Sequence, residues 1–322
     1  MNKHSSIKST GSLLEKASEM YDFSAALRSG ANAPAPIAPV EPAPAVDSGP
    51  APVAAKPLPK PPAVPREHTG TPVSAKRHIG VAKIDRKMLS DNNFINPEGP
   101  VTGQFEEFRI VKRQLLLAAR GGKGYEPVEH GERILICSAH PDEGKTFCAI
   151  NLALSIAREK DNRVLLVDAD FAKPSILSTL GIENAPGLMD ALADPNGDVE
   201  SLVIESDVDG LSILPAGAAT NQDTEYLAAS RTADIIAELT RNDPSRIIIF
   251  DSPPALAASP ASVLALHVGQ CLMVVRADET TDSALRDALN LLSGCDNIQL
   301  LLNRAKFSPT GRKFGSYYGY GA

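Results

Sequence analysis

The sequence predicts a doubly wound, mostly parallel α/β sheet, preceded by a disordered N-terminal linker and followed by a flexible tyrosine-rich tail. Apolar β-rich runs alternate with helical patterns from Arg133 onward, which is the order expected of strand–helix–strand units. Several of the runs are continuous stretches of Val, Ile and Leu, which indicates strands covered on both faces. A glycine-containing turn leads directly from the first run into a helical pattern. These observations favour one folded domain of about 200 residues, long enough to bury a single core.

The strand and helix candidates follow one another in regular order. The strand candidates are 134–137, 164–167, 211–214, 247–250, 272–275 and 299–302. The helix candidates are 101–120, 145–159, 187–193, 224–241, 258–267 and 282–293. In the first of these helices, apolar residues recur every three to four positions. Because parallel sheets bind ligands at the carboxyl ends of their strands, the residues after each strand candidate are the first place to look for chemistry.

The chain before this domain has the composition of a linker. Residues 31–66 contain 12 of the 26 prolines, and no aromatic residue occurs between Ser24 and Asn93. Such a segment buries too little apolar surface to offset its ordering entropy; a proline-rich ligand for a partner domain is the alternative. We therefore predict four regions: a short helical segment over 1–30, a Pro/Ala-rich linker and extended region over 31–100, the folded domain over 101–305, and a flexible tail over 306–322.

Charge and cysteine content exclude some classes of function. The net charge of −7 argues against nucleic-acid binding. The four cysteines form no CxxC pair and lie in apolar stretches, which favours reduced, structural residues. No apolar run approaches the ~18–20 residues that a membrane span needs, and the N-terminus leads into no signal-peptide core. We expect a soluble, cytoplasmic protein.

The segment between the first strand candidate and its helix carries the most specific motif. It reads Ala139-His-Pro-Asp-Glu-Gly-Lys-Thr146. A strand, a tight loop ending in Gly-Lys-Thr and a helix form the phosphate-binding loop of P-loop nucleotide enzymes, although that pattern begins with Gly where this chain has Ala. Backbone N–H groups and the helix N-terminus would cradle the phosphates. Lys145 would reach the β- and γ-phosphates, and the Thr146 hydroxyl would hold Mg²⁺. The predicted nucleotide-binding residues here are Ala139, His140, Pro141, Asp142, Glu143, Gly144, Lys145, Thr146 and Phe147.

Three carboxylates follow two other strand candidates. Asp168 and Asp170 end the second candidate, and residues two apart in a strand point the same way. One could hold Mg²⁺ or its waters, and the other could accept a proton from an attacking hydroxyl; a simple turn at the strand end is the alternative. Asp251 follows four apolar residues and looks like a Walker B carboxylate, which holds Mg²⁺, usually through water. The predicted catalytic residues are Lys145, Asp168 and Asp170, and the predicted metal ligands are Thr146, Asp168 and Asp251.

The C-terminal tail concentrates tyrosines. Three of the six tyrosines, Tyr317, Tyr318 and Tyr320, fall within the last six residues and alternate with glycines. Tyrosines placed for packing would sit inside a patterned element and not on a glycine-broken end. Fully extended, the tail from Arg304 could reach roughly 60 Å, enough to enter the active site of a neighbouring subunit. An aromatic tail that packs on its own domain is the alternative.

In this order the four pieces resemble the bacterial tyrosine autokinases, specifically the soluble type of exopolysaccharide loci with an exosortase/PEP-CTERM system. The resemblance implies a cytoplasmic kinase that uses ATP and Mg²⁺ to phosphorylate its own tail tyrosines between subunits. It also implies a homo-oligomer that works with a membrane chain-length-determinant protein, a polysaccharide co-polymerase. That partner would recruit the kinase to the inner face of the cytoplasmic membrane. Lys145 and Thr146 fall on the Walker A motif of the family, Asp168 and Asp170 on its Walker A′, and Asp251 on its Walker B. In such a kinase, Asp168 is the expected base for an incoming tyrosine hydroxyl, and Asp170 and Asp251 are expected to support the metal.

Two further assignments depend on resemblance. The helix Glu106-Glu-Phe-Arg109-Ile-Val-Lys112 resembles the Glu-x-x-Arg-x-x-Arg oligomerisation motif of the family. Its three charged residues lie three apart, so they are expected to share a helix face and to form ion pairs across a subunit interface; a plain solvated face is the alternative. Asn303, at the end of the last strand candidate, is expected to contact adenine, as in related P-loop ATPases.

Three departures from the family pattern bear on activity. Asp142 stands in place of a flexible Gly, which brings a carboxylate near the phosphates and weakens the expected binding of ATP. Ala172 holds a position where the family often has Arg, with Lys173 following. Lys112 replaces the last Arg of the oligomerisation motif and loses its bidentate fork. None of them removes a residue that phosphoryl transfer must have.

Two other functions fit parts of the pattern. An ATPase switch of the MinD type shares the sheet and the first motif. Such switches carry a second lysine early in the loop, where this chain has His140 and Pro141, and they commonly have no tyrosine tail. A non-catalytic adaptor that binds nucleotide to control assembly is compatible with Asp142 and Ala172. The loop and the tail together favour the kinase.

Overall fold

The computed structural model describes residues 80–306, so the predicted N-terminal helical segment, most of the linker and the tyrosine tail lie outside the described residues. Within this range the strands form one seven-stranded sheet in the order β3-β4-β2-β5-β1-β6-β7. All neighbouring strands are parallel except β3 and β4, which are antiparallel. The strands are β1 (Arg133–Ser138), β2 (Arg163–Asp168), β3 (Ile204–Glu205), β4 (Leu211–Leu214), β5 (Arg246–Asp251), β6 (Gln270–Arg276) and β7 (Ile298–Asn303).

Helices cover both faces of the sheet. The α-helices of the described range are α1 (Arg86–Asp91), α2 (Gly103–Arg120), α3 (Lys145–Ala157), α4 (Ile176–Leu180), α5 (Leu188–Ala193), α6 (Asp223–Ala228), α7 (Ser230–Asn242), α8 (Pro260–Leu264) and α9 (Asp282–Leu291). Short 3₁₀ turns lie at Val199–Leu202 and Ala265–His267. The sequence pattern predicts a doubly wound sheet, and the structure confirms it.

Two apolar layers form the core, one on each face of the sheet. Ile134 and Leu135, neighbours in β1, are both fully buried but belong to opposite layers, because successive side chains of a strand point to opposite faces. The layer of Leu135 includes Ile235 of α7, and the layer of Ile134 includes Ile150 of α3. Burial on both faces is the physical reason that the strands read as continuous apolar runs.

The structure divides some predicted elements and adds others. The predicted helix 224–241 is two helices, α6 and α7, because Ala229 between them adopts an extended backbone with φ −74° and ψ 154°. Short elements escaped prediction: β3 has two residues, while α1 and α4 have six and five. Elements of this length show too few repeats for a periodicity to be read.

Residues 80–100 pack on the domain. Ile84, Leu89 and Ile95 are buried in the same layer as α3, and the Ile95 N–H donates a hydrogen bond of 2.8 Å to the side chain of Asn151. The predicted start of the folded domain at residue 101 is therefore too late. The apolar residues of this segment are few and widely spaced among polar ones, so composition assigns the segment to the linker.

A buried lysine holds α2 against α3. Lys112 is 6% exposed; its Nζ donates to the Ser155 carbonyl at 2.8 Å and lies 2.6 Å from the Glu159 carboxylate. An α-helix turns roughly 100° per residue, so Lys112 points roughly 120° away from Glu106. Glu106 and Arg109 pair with each other at 2.7 Å on the outer part of α2. The expectation that Lys112 forms an ion pair across a subunit interface is wrong, because its charge is used inside the domain.

The cysteines agree with the expectation of structural, reduced residues. All four are buried and free, and burial raises the pKa of the Cys148 thiol to about 12. Between residues 80 and 306, none of the helices has the length and apolar character that crossing a membrane requires.

Replacing Lys112 tests its role within the domain. We expect Lys112→Ala to lower the free energy of unfolding by about 1–3 kcal/mol, because the Ser155 carbonyl loses its buried hydrogen-bond donor. Arg113→Ala removes an exposed cation from the same helix and should change the stability by less than about 0.5 kcal/mol. Urea denaturation of both variants measures the difference. Equal stability of the two variants would contradict the buried role of Lys112.

Candidate active site

The carboxyl ends of three central strands meet at one edge of the sheet. β5 lies between β1 and β2, and Asp251 at its end is paired in register with Asp168 of β2 and with Ile136 of β1. The Ala169 N–H donates to the Asp251 carbonyl at 2.8 Å. The parallel pairing of these strands therefore places Asp168 and Asp251 beside the turn that follows β1.

That turn is the phosphate loop, residues 139–146, which runs from β1 into α3. Gly144 has a φ of +99°, a left-handed conformation that favours glycine, and a Cβ at this position would clash with the Asn303 side chain. Among the described residues, no side chain caps α3 and no group accepts a hydrogen bond from the N–H groups of residues 142–146. The loop thus presents a row of free N–H groups at the positive end of a helix.

Asp142 also has a left-handed backbone, with φ +61°. This conformation costs a residue with a Cβ roughly 1–2 kcal/mol, although Asp tolerates it better than most residues. The side chain is exposed. Asp142 therefore adopts a left-handed conformation and adds an exposed carboxylate to the loop.

Glu143 connects the loop to the ends of β6 and β7. Its carboxylate is buried, accepts the His140 N–H at 2.8 Å and accepts the hydroxyl hydrogen of Thr280, which lies after β6. Its carbonyl accepts a hydrogen bond of 2.8 Å from the side-chain amide of Asn303 at the end of β7. The sequence reasoning missed Thr280, because a threonine four residues beyond a strand belongs to no recognisable motif.

Asp251 is a fully buried carboxylate, and neither of its oxygens has a hydrogen-bond partner in the described part of the chain. Burial raises its pKa to about 7, and the nearby Asp168 and Asp170 act in the same direction. The Thr146 hydroxyl and the Lys145 ammonium oppose this rise in the pKa. Its free oxygens make this buried carboxylate a suitable ligand for a cation.

Asp168 and Asp170 have different surroundings. Asp168 is 2% exposed, and its carboxylate accepts from the N–H groups of Asp170, Ser175 and Ile176 at 3.0–3.3 Å. Burial raises its pKa to about 6. Asp170 is half-buried; its carboxylate accepts only the Lys173 N–H, at 3.1 Å, within the described range. Burial raises its pKa too, against the Lys173 N–H and the Lys145 charge. Asp168 therefore holds the turn after β2, while Asp170 is open to an incoming group.

The structure brings together most of the predicted site. Lys145 is 7% exposed and close enough to lower the pKa of both Asp170 and Asp251. Phe147 is an exception, because its ring packs against Phe94 and Phe108. Asn303 contacts the loop backbone, and a contact with adenine stays a prediction. Ala139 is buried, while His140 and Pro141 are exposed at the mouth of the loop.

These residues fit a triphosphate with a divalent cation. Free N–H groups and a lysine suit the phosphate oxygens. The unpaired Asp251 carboxylate beside the Thr146 hydroxyl offers the hard oxygen donors that Mg²⁺ prefers. The hydrogen-bond donors and oxygen ligands of the site therefore suit Mg²⁺ and a triphosphate, in agreement with the sequence motif.

Comparisons with known proteins agree with this geometry. A protein family described as an AAA domain matches residues 132–305, more than half of the chain. The tyrosine-protein kinase YwqD of Bacillus subtilis is 30% identical over 238 residues, which cover 73% of this chain and 94% of that protein. The tyrosine-protein kinase Wzc of Salmonella typhimurium is 30% identical over 190 residues, which cover 58% of this chain. The chain spans only 26% of the length of Wzc.

Among solved structures, the crystal structure of the VpsO kinase domain superposes with a TM-score of 0.53 at 28% sequence identity. The match covers 63% of this chain and 97% of that domain. From the match to the AAA domain, the coverage of YwqD and the shared fold, it follows that this chain belongs to the bacterial tyrosine-protein kinases with a P-loop fold.

Proposed function

We propose that this protein is an ATP-dependent protein-tyrosine kinase that phosphorylates the C-terminal tyrosines of a second copy of the chain. The observation that carries the proposal is the meeting of the phosphate loop, the accessible Asp170 and the unpartnered Asp251 at one edge of the sheet. Membership of the family supports tyrosine as the acceptor. Tyr317, Tyr318 and Tyr320 are the proposed acceptors because they are the tyrosines concentrated at the C-terminal end.

Phosphoryl transfer depends mainly on positioning and on charge stabilisation. The N–H groups of residues 142–146 bind the phosphates, and Lys145 stabilises the negative charge of the transferring group. Thr146 and Asp251 would hold Mg²⁺, which would neutralise phosphate charge. The low exposure of Lys145 and Asp251 strengthens both interactions.

The proton of the incoming tyrosine hydroxyl needs an acceptor. The sequence pattern puts Asp168 first, but its carboxylate already accepts three backbone N–H groups and is 2% exposed. Asp170 lies two residues on and is accessible. We therefore assign the proton to Asp170 and give Asp168 the task of holding the loop that carries it.

Transfer between copies requires a homo-oligomer. An open groove of about 900 Å³ runs along α2 and is lined by Glu106, Arg109, Arg113 and Arg120, among others. This charged surface supports the assignment of Glu106 and Arg109 to a subunit interface. We also propose a membrane chain-length-determinant protein as the partner, which recruits the kinase to the inner face of the cytoplasmic membrane. The proposed role of the kinase is in exopolysaccharide export of the exosortase-associated type.

Two alternatives are separable from the kinase. A MinD-type switch would hydrolyse ATP without modifying protein, and the exposed His140 and Pro141 stand where its second lysine would be. A non-catalytic adaptor would bind nucleotide without transfer, and the negative charge of Asp142 favours it. Both predict tail tyrosines that stay unmodified in a protein that binds ATP.

Mapping phosphorylation tests the kinase directly. Full-length protein incubated with Mg·ATP should carry phosphate on Tyr317, Tyr318 and Tyr320. Tyr125, which is 64% exposed, should stay unmodified and is the internal control for selectivity. Lys145→Met should reduce the rate of transfer on the order of 10²- to 10³-fold, as loss of a charge-stabilising group does. Mass spectrometry measures both.

In the same experiment, Asp170→Asn should keep the affinity for ATP and lose transfer, since only the proton acceptor is changed. If wild-type protein binds ATP and leaves the three tail tyrosines unmodified, the kinase is excluded in favour of the switch or the adaptor.

The charge of Asp142 should weaken nucleotide binding. We expect Asp142→Asn to tighten the binding of Mg·ATP roughly threefold, because it removes a negative charge near the phosphates and retains a residue that tolerates positive φ. Asp142→Gly should have the same effect on affinity, which separates charge from backbone conformation. Isothermal titration measures the dissociation constants. Unchanged affinity in both variants would remove Asp142 as a modulator of binding.

The buried charge of Asp251 should make the nucleotide-free protein less stable as the pH rises. Its pKa in the folded state is about 7, above the value near 4 of an unfolded chain. The folded state therefore holds the extra proton between these values, and stability falls from about pH 4 to pH 7. We expect Asp251→Asn to be more stable than wild type by about 1–2 kcal/mol at pH 8, and by less at pH 5.

The matched control for this prediction is Asp209→Asn, which alters an exposed carboxylate. Its stability should follow wild type at both pH values. Mg·ATP should raise the melting temperature of wild type and of the control, and should leave Asp251→Asn unchanged. An Asp251→Asn variant with the same pH profile as wild type would contradict the buried charge.

A further inference from the structure

We infer that Glu143 is a positioning residue that holds the phosphate loop in its nucleotide-binding conformation through Thr280 and Asn303. These three residues, here called the loop brace, connect the loop to the ends of β6 and β7. The inference rests on the proposed nucleotide binding, but not on transfer to tyrosine. It gives the side chain of Glu143 a task within the loop, distinct from contact with the nucleotide.

The contacts of the brace centre on a buried carboxylate whose two oxygens each have one donor. Glu143 is 3% exposed. One carboxylate oxygen accepts the His140 N–H at 2.8 Å, and the other accepts the Thr280 hydroxyl hydrogen. The Thr280 hydroxyl oxygen in turn accepts the Arg276 N–H at 2.9 Å. The single hydroxyl hydrogen of Thr280 is thus committed to Glu143, and its position is set by the backbone at the end of β6.

Asn303 completes the brace from β7. Its amide nitrogen donates to the Glu143 carbonyl at 2.8 Å, and its amide oxygen accepts the Arg304 N–H at 2.9 Å. The same amide nitrogen occupies the space that a Cβ on Gly144 would need. The end of β7 therefore holds the Glu143 carbonyl and leaves no room for a side chain at position 144.

The brace accounts for an otherwise costly loop conformation. Asp142 and Gly144 both have left-handed backbones, with φ of +61° and +99°. The free N–H groups of the loop gain no stabilisation from the described part of the protein. From outside the loop, Thr280 and Asn303 both contact Glu143, and the Glu143 carboxylate in turn accepts the His140 N–H within the loop. A loop already held in its binding conformation loses less conformational entropy when a ligand arrives.

The chemistry distinguishes a brace from general packing. A carboxylate accepts from two donors at once, as His140 N–H and Thr280 require. Glu143→Gln presents an NH₂ group in place of one acceptor, so one of these donors loses its partner. Thr280→Val keeps the shape and removes the donor, whereas Thr280→Ser keeps the donor. Opposite outcomes for valine and serine at one position separate the hydrogen bond from the volume of the side chain.

The test measures the binding of Mg·ATP to the full-length protein by isothermal titration. Glu143→Gln and Thr280→Val should each raise the dissociation constant on the order of tenfold, and Thr280→Ser should stay within about twofold of wild type. The double variant should be no weaker than the weaker single variant, since both lose one interaction. Thr232→Val, which removes a buried hydroxyl on α7 that donates to the Tyr226 carbonyl, should leave the dissociation constant unchanged.

A second readout needs no nucleotide. In ligand-free protein, the His140 amide hydrogen should exchange faster in Thr280→Val and Glu143→Gln than in wild type, Thr280→Ser and Thr232→Val. Where single-turnover transfer is measurable, the rate at saturating ATP should fall far less than the affinity.

Wild-type affinity in Thr280→Val, or equal losses in Thr280→Val and Thr280→Ser, would overturn the inference. Nucleotide binding that depends on the brace in a protein that never modifies its tyrosines would uphold this inference and reject the kinase.

Discussion

The site depends on one buried carboxylate, which has no hydrogen-bond partner among the described residues. Asp251 is fully buried at the end of the central strand β5, and both of its oxygens lack partners in the described part of the chain. An isolated buried charge is costly, and proteins retain one where a cation or a partner compensates it. Lys145 and Thr146, at the first positions of α3, lie on the side from which such a cation would be held. The end of β5 thus offers a carboxylate with free acceptor capacity beside Lys145 and Thr146.

The sheet places the site residues close together, and the loops that follow its strands carry the groups that bind and react. Parallel register pairs Asp168 with Asp251, and α3 directs its N-terminus to the same edge. Outer segments of the domain pack against the helix that begins at this edge. Residues 80–100 pack on the layer of α3, and Lys112 joins α2 to the carboxyl end of α3. A proposed assembly surface on α2 therefore rests directly on the helix that begins at the phosphate loop.

Sequence patterns predicted the central strands and the order of the motifs because both depend on local rules. Continuous apolar runs identify strands buried on both faces, as in Ile247–Phe250, and the Gly-Lys-Thr turn identifies the loop. Contacts between distant segments follow no such rule. Thr280 reaches Glu143 across 137 residues of chain, and nothing in the spacing marks it.

Lys112 shows the limit of motif spacing in another way. A charged residue three positions from another is ordinarily read as sharing its face, yet the drift of the helix turns this one toward Ser155. Likewise, Asp168 and Asp170 are equivalent in sequence, and burial together with the backbone N–H groups of residues 170, 175 and 176 distinguishes them. The fold class follows from composition and periodicity, while the division of labour within the site follows from tertiary contacts.

The central claim is that a triphosphate and its divalent cation bind together at this edge of the sheet. Titrating ATP into the full-length protein by calorimetry, with Mg²⁺ and then with a chelator in its place, tests it most directly. We expect saturable binding with Mg²⁺ and binding at least tenfold weaker without it, because Asp251 and the phosphates share the cation. No heat of binding from a folded sample, or equal affinity with and without Mg²⁺, would contradict the account.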